Sequence, residues 1–286
     1  MQDLRNIVIL TGAGISAESG VATFRAADGL WEGHRVEDVA TPEGFAKDPA
    51  LVHAFYDARR ARLAEVVPNA AHEALARLDA EWPGELLIVT QNVDDLHERS
   101  GAIRLVHMHG ELLSGWCLAC DGRFPWAGPM SLTSVLPELV EGLPLTAYQS
   151  EEEQSFDKLR TNGLTGEVRD AELRTNGNNI CPSCMAYGHI RPDIVWFGEM
   201  PYHMDRIETA LRSADLFVSI GTSGAVYPAA GYVQTAKYCG AHTVEINLEP
   251  SLGSVMFDEV RIGKAGVEVP RWVEEVMTRS RAKAGA

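Results

Sequence analysis

The stretch Asn6-Ile7-Val8-Ile9-Leu10-Thr11-Gly12-Ala13-Gly14-Ile15-Ser16-Ala17 runs from an uninterrupted apolar segment straight into a glycine-rich turn. Apolar residues without polar alternation mark a strand covered on both faces, the condition of a parallel sheet. The turn fits G-x-G-x-x-A, where missing side chains let the backbone approach a pyrophosphate while the N-terminus of the next helix faces its charge. Taken alone, it equally describes a tight strand-to-helix turn. Similar apolar runs recur at Leu86 to Thr90, Leu216 to Gly221 and Thr243 to Asn247, with helical patterns such as Pro49 to Val66 and Met204 to Ala214 between them. This alternation implies an α/β fold with a doubly wound parallel sheet. Ligands of such sheets sit beyond the carboxyl ends of the strands, and Gly12, Gln91, Gly221 and Asn247 all fall there.

A chain of 286 residues with 45% hydrophobic content has room for one large domain and a smaller module. The net charge of -15 argues against direct nucleic-acid binding, which needs clustered Lys and Arg, and suits attraction to a basic, lysine-bearing protein. No apolar run reaches the ~18 residues of a membrane span. The first apparent strand begins at the sixth residue, which leaves no room for a signal peptide. A soluble cytoplasmic protein is expected.

Residues 111–197 break the strand–helix rhythm and read as a module inserted into a larger domain of residues 1–110 and 198–286. The module contains Cys117-Leu118-Ala119-Cys120 and Cys181-Pro182-Ser183-Cys184. In a reducing compartment such pairs suit metal better than disulfides, and two C-x-x-C knuckles close a tetrahedron around one structural zinc. Between Cys120 and Cys181 lie 60 residues, against ~20 in a compact four-cysteine site. Within them Leu-Arg-Thr-Asn-Gly occurs at Leu159 to Gly163 and again at Leu173 to Gly177, so residues 121–180 are expected to form a surface excursion. The fifth cysteine, Cys239, is expected to be a buried, inert thiol.

Gln91, Asn92, Val93 and Asp94 follow an apparent strand, which gathers an amide, a carboxamide and a carboxylate at the sheet's carboxyl edge. On spacing alone, Asn-x-Asp equally caps a helix. His107 and His109, two residues apart, share a face if the chain is extended, and either could be a general base. The segment Ala22 to Trp31 is loop-like. It offers no acidic residue closing a second strand, as a dehydrogenase would, and no hydride chemistry is evident.

These motifs, in this order, resemble those of the sirtuins, NAD-dependent protein lysine deacylases, over nearly the whole chain apart from roughly residues 121–180. The resemblance implies a Rossmann-like sheet with a zinc-binding module, and transfer of a lysine's acyl group to ADP-ribose with release of nicotinamide. For NAD it implies Gly12, Ala13, Gly14 and Ala17, the covering loop with Thr23, Phe24, Arg25 and Trp31, and Gln91, Asn92, Val93 and Asp94. The adenosine half would lie against Gly221, Thr222, Ser223, Asn247, Leu248, Glu249 and Ala265. Of the two histidines it selects His109, directly before the glycine, as general base on the NAD ribose, with Asn92 assisting. Val195, Trp196, Phe197 and Gly198 on one side, and Val226 and Tyr227 on the other, resemble segments between which the substrate peptide adds as a strand. Trp196 and Phe197 could equally be core. Tyr56 and Arg59, at i and i+3 of a helix, match the Tyr-x-x-Arg of sirtuins that remove succinyl or malonyl groups, where phenol and guanidinium pair with the acyl carboxylate. A packed Tyr beside a solvated Arg is the plain alternative. Two other functions compete: protein ADP-ribosylation, and a zinc protein that binds acyl-lysine without turnover.

Overall fold

The computed structural model describes residues 4–22, 30–130 and 179–284. In chain order its elements are β1 (Asn6–Thr11), β2 (Leu30–Trp31), β3 (His34–Arg35), α1 (Val36–Val39), α2 (Pro42–Lys47), α3 (Pro49–Leu63), α4 (Ala70–Glu81), β4 (Glu85–Thr90), α5 (Leu96–Arg99) and β5 (Leu105–His107). They continue with β6 (Gly110–Cys117), β7 (Arg123–Pro125), β8 (Ile190–Ile194), α6 (Met204–Ser213), β9 (Leu216–Ile220), α7 (Tyr232–Tyr238), β10 (His242–Asn247), β11 (Glu259–Ile262) and α8 (Ala265–Ala284).

Six strands form one sheet in the order β11-β10-β9-β1-β4-β5, every pair parallel. Each strand of the sheet's centre is apolar on both faces because each face carries helices. Ile7 and Ile9 point to one side, where Leu75 and Leu78 of α4 and Trp272 and Val273 of α8 cover them. Val8 and Leu10 point to the other, toward Ile207 and Leu211 of α6 and Val233 and Ala236 of α7. The chain builds outward from β1 through β4 to β5, then returns to β1's other edge with β9. The strand order therefore reverses between β1 and β9, and a crevice opens at their carboxyl ends.

A second sheet, β7-β6-β8, is antiparallel. Its small core of Phe124, Trp126, Met130 and Ile190 packs on Cys117 and Cys181. The expected excursion of residues 121–180 therefore begins later than its lower bound: Arg123–Pro125 pairs with β6, and Trp126 and Met130 are buried, since their apolar area is needed to cover the cysteines. At the far end Asn179 is buried too, its amide donating to the Ile190 carbonyl at 3.2 Å. The Leu-Arg-Thr-Asn-Gly repeats lie outside the described residues. Among the described residues no helix is long and apolar enough to cross a membrane. Cys239, expected to be buried, is exposed, because it caps the end of α7 rather than lying on that helix's core face.

Candidate active site

At the strand-order reversal the two backbone turns touch. The Gly12 N–H donates to the Ile220 carbonyl at 3.0 Å and the Gly14 N–H to the Gly221 carbonyl at 2.8 Å. A Cβ on Gly14 would stand 2.7 Å from Gly221 Cα, and one on Gly221, whose φ is +63°, would stand 2.5 Å from the Ile15 nitrogen. The glycines are thus required by the chain itself before any ligand arrives. Among the described residues the expected helix after this turn is absent. Ala13–Ile15 and Ala17–Ser19 are single 3-10 turns, so a phosphate here would meet backbone N–H groups without a long helix dipole behind them.

This turn opens into a cleft of about 990 Å³. All the expected NAD and substrate residues within the described regions line it: Gly12, Ala13, Gly14, Ala17 and Trp31; Gln91 to Asp94; His109; Tyr56 and Arg59; Val195 to Gly198; Gly221 to Ser223 with Val226 and Tyr227; Asn247 to Glu249; and Ala265. Thr23, Phe24 and Arg25 lie outside the described residues. Asn247 spends its amide on the fold, donating to the Thr222 carbonyl at 2.7 Å, so it braces the neighbouring loop.

Ser16, which the sequence presented only as part of the glycine motif, wires the floor of the cleft. Its hydroxyl donates to Asp94 Oδ2 at 3.0 Å and accepts from Asn92 Nδ2 at 3.1 Å. His72 stands behind it, with Nδ1 accepting the Asn69 N–H at 3.3 Å in a capping box that starts α4, and Nε2 3.4 Å from Ser16 Oγ. His97 Nε2 lies 3.1 Å from Thr11 Oγ1, and the His72 and His97 rings are 5.0 Å apart. Burial pushes His72 down to about 4 and His97 well below its ordinary value, so both rings are neutral at pH 7. Burial raises the Asp94 carboxyl, against the pull of its Leu96 and Ser16 hydrogen bonds.

The two imidazoles that spacing could not separate differ in their partners. His107 Nδ1 lies 2.9 Å from the Asn92 carbonyl and Nε2 2.6 Å from Glu98 Oε1. Both acceptors favour an N–H; burial opposes a charge on the ring, but Glu98 outweighs it and the pKa rises. Among the described residues His109 bonds only through Nδ1, 3.1 Å from the Gln91 carbonyl. A carbonyl can only accept, which puts the proton on Nδ1 and the lone pair on Nε2. Burial lowers this pKa, partly offset by the Gln91 bond, so His109 is neutral at pH 7. His107 does not line the cleft, whereas His109 does.

At the cleft's other end Tyr56 is fully buried and its oxygen accepts from Trp196 Nε1 at 2.9 Å. Arg59 stacks over Phe55, its guanidinium carbon 3.4 Å from the ring centroid, with Trp31 at 4.3 Å. Its side chain is only 10% exposed; burial brings its pKa down to about 10 while Glu32 pulls it up. The alternative of a solvated Arg is therefore not what forms. Trp196 is core, whereas Phe197 is 47% exposed. The N–H groups of Val195, Trp196 and Phe197 donate to His109 O, Glu199 Oε2 and Ala40 O at 2.9, 2.8 and 3.0 Å. The Trp196 carbonyl in turn accepts from the Glu199 N–H at 3.0 Å, so an added strand would find no spare backbone donor along these three residues.

Away from the cleft, all four sulfurs of Cys117, Cys120, Cys181 and Cys184 lie within 4.8 Å of one another. The Cys117–Cys184 and Cys120–Cys181 sulfurs are 3.8 and 3.7 Å apart. A disulfide needs about 2.0 Å, whereas tetrahedral zinc with Zn–S of about 2.3 Å sets its sulfurs about 3.8 Å apart. The donor set fits zinc, and with four protein ligands no position remains for a reacting water.

A profile of the Sir2 family matches residues 12–228. The chain belongs to the Sir2 family. An NAD-dependent protein deacylase of Vibrio vulnificus is 51% identical over 275 residues, covering 96% of this chain and 94% of that protein. The NAD-dependent protein deacylase of Caulobacter vibrioides is 45% identical over 98% of this chain and 100% of its own length. Among solved structures, a Sir2 homologue in complex with NAD superposes with a TM-score of 0.72 at 33% identity, covering 96% of this chain and 90% of that one. A mutant Sir2 homologue bound to 2′-O-acetyl-ADP-ribose gives a TM-score of 0.71 at 32% identity, covering 96% and 92%. As a Sir2-family member the chain carries the parallel Rossmann-like sheet with a cysteine cluster fit for structural zinc. Sequence reading missed Ser16, His72, His97 and Glu98, whose importance lies in remote partners rather than in local motifs.

Proposed function

We infer that the protein is an NAD-dependent protein lysine deacylase that removes acetyl and also acidic acyl groups such as succinyl and malonyl. One observation carries the reading: a single cleft joins the glycine crossing, a neutral imidazole with a spare nitrogen, and an arginine buried against aromatic rings. Relatives named NAD-dependent protein deacylase, at 45 to 51% identity, support the deacylase part.

The NAD co-substrate supplies a ribose carbon that takes the acyl oxygen as nicotinamide leaves, and the acyl group ends on ADP-ribose. The chain's residues bind, orient and move a proton. The glycine turns cradle the pyrophosphate, and Thr222, Ser223, Leu248, Glu249 and Ala265 flank the adenosine half. Gln91 and Asn92 bond ribose hydroxyls. Asp94, whose oxygens each accept one bond from Ser16 or Leu96, keeps lone pairs for a carboxamide N–H. His109 Nε2 takes the proton of a ribose hydroxyl. Trp196 aims the Tyr56 hydroxyl, and with Arg59 it receives the acyl carboxylate. The peptide lies between the Val195 to Gly198 segment and Val226 with Tyr227.

The parallel and antiparallel sheets support a Rossmann-like domain of residues 1–110 and 198–286 and a zinc-binding module of residues 111–197, the module's Leu112, Ile194 and Trp196 sharing a core with Phe55 and Tyr56 of α3. Four closely spaced but unbridged thiols support a reducing, cytoplasmic setting, and the acidic balance supports protein rather than nucleic-acid partners.

The test uses matched acetyl-lysine and succinyl-lysine peptides, with and without NAD, followed by mass spectrometry in the wild type and in Arg59→Met. We expect NAD-dependent loss of both groups, with kcat/KM for the succinyl peptide falling about 100-fold in the variant, the loss of one buried charge-assisted pair. Loss of neither group sinks the deacylase reading. Equal retention of both in Arg59→Met sinks the acidic-acyl reading.

A further inference from the structure

Arg59 already has a carboxylate. Glu32 Oε2 stands 3.2 Å from Arg59 Nη2, a charge contact that leaves this buried nitrogen without a hydrogen bond among the described residues, and Glu32 Oε1 stands 3.6 Å from Arg62 Nη1. Glu32 occupies the first loop position of the β2–β3 hairpin, where Trp31 pairs with His34 and only Glu32 and Gly33 connect them. Both have positive φ, 47° and 81°, as two-residue hairpin loops demand. Gly, Asn and Asp tolerate that backbone; a long side chain such as Glu is disfavoured. Strain of this kind persists where something holds it in place, and here the holder is the pair of arginines. Glu32 and Arg59 both line the cleft beside Tyr56.

The arginines differ in a way that makes exchange possible. Arg59 is 10% exposed, so leaving it unpaired is costly, whereas Arg62 is 61% exposed and solvated. Glu32 can give up Arg59 and keep Arg62. An incoming acyl carboxylate can then take Arg59 with no charge left bare. A neutral acyl chain offers nothing in exchange, and the internal pair stays closed over it.

We propose that Glu32 is an internal stand-in for the acyl carboxylate, holding Arg59 between turnovers and yielding it to acidic acyl groups, so that it sets the selectivity between acidic and neutral acyl chains. This rests on the acidic-acyl reading of Arg59. Glu32 is a positioning residue: it acts on substrate through Arg59. Occupancy of Arg59 by Glu32 lowers the apparent affinity for succinyl-lysine by the fraction of molecules in which Arg59 is free, and the acidic product leaves more readily as Glu32 returns.

The experiment measures KM and kcat of Glu32→Gln and Glu32→Asn, alongside Arg59→Met, with a succinyl-lysine peptide and its terminal carboxamide analogue, which keeps the shape and lacks the charge. If Arg59 is free about a tenth of the time, Glu32→Gln lowers KM for the succinyl peptide about tenfold. The change lies in KM rather than kcat, and the carboxamide peptide gains nothing comparable. Glu32→Asn repeats the KM effect and raises Tm, because Asn suits positive φ; this separates the charge effect from misfolding. A succinyl KM that is unchanged or higher in both variants, or equal shifts for both peptides, overturns the proposal. If Arg59→Met also leaves desuccinylation intact, the underlying reading of Arg59 has failed; if Arg59→Met abolishes it, only the role of Glu32 has.

Discussion

Acidification should unfold this protein through two neutral imidazoles beneath its cleft. His72 is fully buried, its pKa brought down by burial to about 4 from an ordinary 6.5. The sign follows from linkage. The unfolded chain takes up the proton near pH 6.5 and the folded one resists until about pH 4, so the unfolded state binds more protons throughout that window. Stability is complete above pH 6.5, falls as pH drops toward 4, and levels off below. For His72 alone the loss is about 2 kcal/mol at pH 5 and about 3 kcal/mol at pH 4. His97 adds to the same side, chiefly through its burial, with a charge on the His72 ring 5.0 Å away opposing its protonation further. His107 acts oppositely: its raised pKa gives stability present at low pH and lost as pH rises through that value. The assay is equilibrium urea unfolding of the metal-loaded protein at pH 7.5 and 5.0, in the wild type and in His72→Gln, which keeps a donor near Ser16 and cannot titrate. The wild type should lose at least about 2 kcal/mol more than the variant between these two conditions. Equal losses in both proteins would refute the placement of a neutral ring at His72. The same proton would disturb Ser16, and through it Asn92 and Asp94, so NAD affinity should fall with stability.

Other outcomes follow from the same geometry. Because burial holds His109 below its ordinary pKa, kcat/KM should lose activity on the acid side of pH 6.5, and a midpoint above pH 7 would exclude it as the titrating base; His109→Tyr should abolish turnover while NAD binding, followed by calorimetry, survives. Gly14→Ala forces a Cβ against the backbone of Gly221 at 2.7 Å, and should cost about 1–3 kcal/mol of stability by denaturant unfolding, with weakened NAD affinity. Strong chelation should release one zinc per chain and redden tryptophan emission as Trp126, 2% exposed beside Cys117 and Cys181, meets water; Cys181→Ser should purify without metal.

How much of this was legible depended on whether the information is local. Each strand at the sheet's centre is buried on both faces, so residues 7–10, 86–90, 216–220 and 243–247 announce themselves as apolar runs. The outer strands do not: Leu105–His107 is three residues long, and Glu259–Ile262 has one face open and alternates between half-buried and exposed. Cys-x-x-C spacing carries its geometry within four residues, and the sulfurs meet as expected although most of the chain between the pairs lies outside the described residues. The glycines were legible as a turn, but their cause was not, because the atoms that exclude a Cβ belong to Gly221, two hundred residues away. Cys239 was misjudged because a general tendency of thiols to be buried says nothing about which side of a helix end faces solvent.

The histidine pair shows where sequence reasoning stops and what replaces it. Residues two apart have equal claims on any chemistry that depends on residue type. What separates them is a carboxylate nine residues before one of them, Glu98 on α5, which holds the Nε2 of His107 at 2.6 Å, and a single carbonyl, Gln91, that leaves His109 a lone pair. Neither partner is marked by spacing; both are placed by β4 ending where it does, one strand from β1. The same reasoning explains Arg59. The helix face it shares with Tyr56 is visible in the sequence, but its pairing with Glu32 requires a two-residue hairpin whose left-handed turn lifts that carboxylate over the cleft. Residue type names the available chemistry, and remote backbone decides which group is free to perform it.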